Sequence, residues 1–156
     1  MNQEVRLNDL YQEVILDHNR RPRNFKKLEN ATACAHGINP LCGDDYRLFL
    51  NIDESGIIKE VGFEGQGCAI SKASASMMTM AIRGKSRQDA VKLKDIFIEL
   101  LTGDTVSDAV RAQADRLKIF EGVKQFPIRV KCATLIWRAL EESLKNSNEK
   151  REVSTE

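Results

Sequence analysis

Apolar residues recur at helical spacing at Leu7, Leu10, Tyr11, Val14 and Ile15, which predicts an amphipathic helix over about residues 6–18 with one face on a core. His18 closes this helix and reads as a residue capping helix-end carbonyls rather than a ligand, because no cysteine or carboxylate motif surrounds it. Between about Ala31 and Phe63 the period becomes alternating: Tyr46, Leu48, Leu50 and Ile52 fall on one side, Arg47, Asn51 and Asp53 on the other. That is the signature of a half-buried strand. Asp53-Glu54-Ser55-Gly56 carries turn chemistry and Ile57, Val61 and Phe63 resume the alternation, so an antiparallel hairpin is expected, with Thr32 to Gly37 as a third strand.

Helical spacing then returns. Gly65-Gln66-Gly67-Cys68 ends the sheet and opens a helix from Ala69 to Ile82, with Ile70, Ala73, Met77 and Met80 on the expected core stripe. Ser86-Arg87-Gln88-Asp89 has the form of a capping box, followed by Ala90, Leu93, Phe97, Leu100 and Leu101 until Gly103. Thr105 to about Phe120 holds one or two weaker helices stopped by Gly122, and a last helix after Phe126-Pro127 carries Ala133, Ile136, Trp137, Leu140 and Leu144 on one face. Strands grouped first and helices after them predict an α+β domain, a small antiparallel sheet of about three strands packed against several α-helices. Residues 1–145 are read as one domain, and residues 146–156, polar and without periodicity, as a disordered tail.

Composition narrows the function. The 24 basic and 23 acidic side chains of this 156-residue chain leave a formal charge of +1, which provides no general field for nucleic acid. The basic segment from Asn19 to Lys27, bent by Pro22, reads as a surface loop: a solvated face, or a docking surface for an acidic partner. No run approaches the ~18 apolar residues of a membrane helix, and the amino end lacks the pattern of a secretory signal. A cytoplasmic protein is expected.

In a reducing compartment Cys34, Cys42, Cys68 and Cys132 are more naturally ligands, nucleophiles or buried thiols than disulfides. Cys42 is flanked by Pro40 and Gly43, Cys68 follows Gly65 and Gly67 at a predicted helix start, and Cys132 lies in the first turns of another helix beside Arg129 and Lys131. Helix amino ends and nearby cations favour the thiolate, the form that binds metal or attacks sulfur. Three cysteines need a fourth ligand, and Asp44, brought beside Cys42 by the flexible Gly43, is the nearest candidate; its alternative reading is a turn aspartate at a strand start. Arg129 and Lys131 would offset the resulting negative charge. Cys34 and His36 share a face of the predicted third strand but lack the glycine context of the other cysteines, and are not assigned as ligands.

Asn39-Pro40-Leu41-Cys42-Gly43-Asp44, Gly67-Cys68-Ala69-Ile70-Ser71 and Arg129-Val130-Lys131-Cys132-Ala133 together resemble the three cysteine motifs of the IscU/SufU family of iron-sulfur cluster assembly proteins, also known from the NifU amino-terminal domain. Asp17-His18 with Arg21-Pro22-Arg23-Asn24 resembles the family's amino end, so the likeness spans about residues 6–142. Lys131 stands where IscU-type scaffolds carry a histidine, and Phe126-Pro127-Ile128-Arg129-Val130 replaces their Leu-Pro-Pro-Val-Lys chaperone-docking motif. The long helical stretch between Cys68 and Cys132 resembles the SufU type.

This resemblance implies a zinc-dependent, sulfurtransferase-like sulfur acceptor. The metal ligands would be Cys42, Asp44, Cys68 and Cys132, since an ammonium at Lys131 has no free lone pair at neutral pH. Cys42 would take persulfide sulfur from a pyridoxal phosphate-dependent, SufS-like cysteine desulfurase and pass it to a downstream SUF scaffold or apoprotein. The alternatives are a scaffold for a labile two-iron, two-sulfur cluster, or a purely structural zinc protein on the same residues.

Overall fold

A computed structural model of the chain describes residues 3–145 and 151–155. Alternation along β2 (Asp44–Ile52) places Tyr46, Leu48, Leu50 and Ile52 on one face, and all four are buried. β3 (Ile58–Gln66) pairs antiparallel with β2 through a turn in which Asp53 Oδ1 accepts from the backbone N–H groups of Ser55 and Ile57. β1 (Ala33–Asn39) pairs antiparallel on the other edge of β2, from Ala33 opposite Leu50 to Asn39 opposite Asp44.

The expected three antiparallel strands become four in a mixed sheet ordered β3-β2-β1-β4. The additional strand, β4 (Arg151–Ser154), runs parallel to β1 and lies in the segment expected to be disordered. Four residues are too few to show a period of their own. Their strand character comes from the open backbone groups of β1, and Thr155 extends the pairing by donating its N–H to the Ile38 carbonyl at 3.0 Å.

The helices cover the apolar face. They are α1 (Gln3–Arg20), α2 (Ala69–Ile82), α3 (Arg87–Thr102), α4 (Asp108–Ala114) and α5 (Pro127–Ser143). A 3-10 helix over Asp115–Gln125 runs through Gly122 instead of stopping there. Ser86 caps α3 as the sequence indicates, its hydroxyl accepting from the Asp89 N–H at 3.1 Å. Trp137 of α5 is fully buried, stacked on Phe97 at 4.7 Å and donating from Nε1 to the Ser74 hydroxyl. The expected core face of α5 is buried throughout, at Ala133, Ile136, Trp137, Leu140 and Leu144.

The stripe read for α2 needs correction: Met77 is buried, but Met80 is 47% exposed and Met78 is fully buried instead. The helix packs against α1, α3, α5 and β3, so most of its circumference is interior and no single stripe describes it. Its run of serines and alanines permits that close approach.

The basic segment after α1 is tied down rather than freely solvated. The Arg23 N–H donates to the Ser76 hydroxyl, Asn24 Nδ2 to the Thr79 hydroxyl, and Phe25 meets Phe63 edge-on at 5.1 Å. Among the side chains expected on the core face of α1, Ile15 is buried and Val14 half-buried; those of Leu7, Leu10 and Tyr11 lie outside the described residues.

His18 does not cap carbonyls. It is 7% exposed, with Nδ1 2.7 Å from the Ser76 hydroxyl, and burial, followed by the charge of Arg23, holds its pKa below 6.5 against the opposing pull of Asp17. The fold therefore favours the neutral ring. As pH falls below about 6.5 the unfolded chain takes up a proton that the folded chain resists, so the stability that His18 contributes is full above about 6.5 and is lost as pH falls toward its lower folded pKa. Urea unfolding between pH 7.5 and 5.5 is expected to show wild-type stability falling more steeply than that of His18→Gln; parallel profiles would contradict this account of His18.

Candidate metal centre

The β1–β2 hairpin closes at the Asn39/Asp44 pair, and its loop, Pro40 to Gly43, carries Cys42. The Cys42 N–H donates to the Asn39 carbonyl at 3.2 Å, and Gly43 takes a φ of +73°, open to glycine at little cost, before the chain enters β2. Because β3 pairs with β2 up to Gln66 opposite Asp45, the next residues, Gly67 and Cys68, arrive beside Asp44. Helix α5 packs on β1 and brings Cys132 to the same end. Three element ends thus meet at one carboxylate.

Asp44 is 1% exposed and hydrogen-bonded on both oxygens. Oδ1 accepts from the Cys68 N–H and the Ser71 hydroxyl, each at 3.0 Å, and Oδ2 accepts from Asn39 Nδ2 at 3.3 Å. The Tyr46 hydroxyl lies 3.0 Å from that of Ser71. Burial, opposed by the Ser71 hydrogen bond and reinforced by the charge of Asp44, raises the Tyr46 pKa and keeps the phenol neutral, a donor into this network.

Ligand atoms of Cys42, Asp44 and Cys132 all lie within 4.8 Å of one another, a group that can hold a metal ion. Cys132 is 1% exposed, whereas Cys42 is only half-buried. Burial first, then hydrogen bonding to Cys42 and Asp44 and the neighbouring negative charges, pushes the Cys132 thiol far above the ordinary cysteine range. Without a cation this sulfur stays protonated; a bound divalent metal reverses that preference, and its binding releases a proton. Two sulfurs and a carboxylate oxygen, two of the three residues dry, form a donor set suited to zinc.

Cys68 stands outside the 4.8 Å group. It caps the amino end of α2, its Sγ accepting from the Ser71 N–H at 3.4 Å, while its backbone holds Asp44. Of the two cations read as supporting, Arg129 is exposed and Lys131 half-buried, and no hydrogen bond or ion pair joins either side chain to Cys42, Asp44, Cys68 or Cys132 among the described residues. They lie on α5, the helix that carries Cys132. Cys34 and His36 lie on the sheet instead, lining a cavity of about 220 Å³ with Lys27, Arg47 and Glu64. His36 Nε2 sits 2.6 Å from Asp45 Oδ1.

Sequence reasoning missed Asn39, Ser71 and Tyr46. The first two stand inside quoted motifs, Ser71 three residues after the helix-capping Cys68, where a cap contact is common.

A family model describing the NifU-like N-terminal domain matches residues 10–133. The chain belongs to this family. It is 41% identical over 144 residues to the zinc-dependent sulfurtransferase SufU of Bacillus subtilis, covering 92% of this chain and 95% of that protein. It is also 41% identical over 142 residues to the iron-sulfur cluster assembly scaffold protein IscU of Streptococcus pyogenes serotype M1, covering 91% and 87% of the two chains. A solved structure from Fervidobacterium islandicum AW-1, described as an iron-sulfur cluster assembly scaffold protein for the SUF system, shares 36% identity over 88% of this chain and 98% of its own, with a TM-score of 0.80. The resemblance carried by the three cysteine motifs is therefore one of family, and the α+β fold is the fold of these IscU/SufU proteins.

Within this NifU-like domain, close packing at Gly67 is the sharpest steric constraint on the centre. A Cβ there would stand 2.4 Å from Asp44 Oδ1 and 2.6 Å from both the Ser71 and Tyr46 hydroxyl oxygens. Gly67→Ala is expected to displace the carboxylate and destabilise the metal-free protein by about 1–3 kcal/mol, the usual cost of overpacking. Urea denaturation checks this, and an unchanged midpoint would show that the network yields freely.

Proposed function

We propose that the chain is a zinc-dependent sulfur acceptor that takes persulfide sulfur from a cysteine desulfurase for SUF-type iron-sulfur cluster assembly. The observation that carries this reading is the unequal access to the donors: Asp44 and Cys132 are each 1% exposed, while Cys42 is half-buried on a glycine-flanked loop. The 41% identity to a relative named a zinc-dependent sulfurtransferase supports it.

In this reading Asp44 and Cys132 would hold the ion with Cys68 as a further ligand, and Cys42 would be the ligand free to react. Bound there, zinc supplies positive charge that keeps its sulfur ligands deprotonated. The Cys42 thiolate attacks the terminal sulfur of the donor's persulfide. The donor's S–S bond breaks, a new S–S bond forms on Cys42, and the donor cysteine departs as a thiolate, with no oxidant consumed. Half-burial suits both tasks of Cys42, since attack needs access and deprotonation.

A second reading, a scaffold on which a two-iron, two-sulfur cluster is built, is supported by the equal identity to a relative named a scaffold. One preparation separates the two. The untagged protein is expected to carry near-stoichiometric zinc, and wild type but not Cys42→Ser is expected to accelerate a SufS-like desulfurase supplied with cysteine. No acceleration would sink the acceptor reading. An iron-sulfur absorption spectrum that moves to an acceptor apoprotein would favour the scaffold.

A further inference from the structure

We propose that Asn39 is the positioning residue of this centre, holding Asp44 and Cys132 together as a ligand pair while Cys42 leaves; the proposal rests on the zinc reading above. Asn39 is fully buried at the end of β1, directly opposite Asp44. Its Nδ2 lies 3.3 Å from Asp44 Oδ2 and 3.6 Å from Cys132 Sγ, so one amide group spans two ligands on β2 and α5. Its backbone carbonyl accepts from the Cys42 N–H at 3.2 Å. All three clustered ligands therefore hang on one residue.

The other end of the same side chain makes this more than packing. Asn39 Oδ1 is buried with no hydrogen-bond partner, the one such side-chain atom among the described residues. Leaving a buried acceptor unpaired costs about 1–3 kcal/mol, which an apolar side chain of the same shape avoids. Turning the amide over would set Oδ1 against the Asp44 carboxylate, an acceptor with no proton to give, and would exchange the hydrogen bond to Oδ2 for a repulsive contact. The orientation follows from the charge of Asp44, and the unpaired oxygen is its consequence.

Two effects follow. The two Nδ2 hydrogens spread the negative charge of the paired ligands and keep them in register when the loop carrying Cys42 moves. A hydrogen bond to Cys132 also lowers the nucleophilicity of that sulfur, whereas no side-chain nitrogen donates to Cys42 among the described residues. Sulfur is thereby directed to Cys42.

Asn39→Leu tests this, being near in shape and free of both donor and orphan acceptor. Zinc affinity is measured by competition with a chromophoric chelator, cobalt(II) is used for its sulfur-to-metal charge-transfer band, and the thermal midpoint of the metal-free protein is followed in parallel. The expected result is a metal-free midpoint no lower than wild type, zinc binding weakened by about tenfold or more as for loss of other residues that orient metal ligands, and an altered cobalt spectrum. Wild-type zinc affinity with an unchanged cobalt spectrum in Asn39→Leu would overturn the proposal. If the leucine variant does not fold, Asn39→Asp, which keeps the fork but loses the donors, decides by the same measurements: weakened binding supports the role and undiminished binding overturns it. Wild-type protein that binds no zinc would defeat the zinc reading and this proposal together, whereas zinc-binding wild type beside an unaffected variant defeats this proposal alone.

Discussion

A carboxylate taken out of water must be hydrogen-bonded or charge-paired, and Asp44 is almost wholly buried where a hairpin, the start of α2 and the start of α5 converge. Its two oxygens take the Cys68 N–H and the Ser71 hydroxyl from α2's first turn, and the Asn39 amide from β1. Each donor belongs to a different feature of the fold: a helix cap, a residue one turn further on, and a cross-strand neighbour. Satisfying Asp44 therefore fixes how the sheet meets α2, and α5 then brings Cys132 to the same place. The core stacked on Trp137 and Phe97 holds these elements rigid behind the centre.

That constraint divides the proposed ligands into two kinds. Asp44 and Cys132 are dry, locked by neighbours, and poor at meeting another protein's sulfur. Cys42 hangs on a loop whose anchors are one backbone hydrogen bond and the left-handed turn at Gly43. Such a centre can keep a metal through its fixed members while its mobile member reacts, a division of labour that a closed structural site with four buried ligands does not offer. Cys68 stands between the two kinds, its sulfur occupied in capping α2 and its backbone in holding Asp44.

Much of this was legible in the sequence because it is written in local chemistry. The alternation of Tyr46, Leu48, Leu50 and Ile52, the capping Ser86, the apolar face of α5 and the placing of Cys68 at a helix start each follow from residues a few positions apart. What was not legible depends on contacts across the fold. β4 has only four residues and becomes a strand through the edge of β1. Met80 faces out and Met78 in because α2 is enclosed on several sides. Asn39 stood in the sequence only as the first residue of the Cys42 motif, with no role of its own, and its amide acquires one only when Asp44 and Cys132 arrive beside it.

The central claim is a zinc centre with one labile thiolate among fixed ligands. X-ray absorption at the zinc edge, on protein purified without added metal and again after loading Cys42 with sulfur from a persulfide donor, tests it most directly. The account predicts about three sulfurs and one oxygen around zinc at first, and one fewer ligand from the original set after loading, with zinc retained. A shell that keeps the same sulfur count and distances after Cys42 has been loaded, or a site holding no zinc, would contradict it.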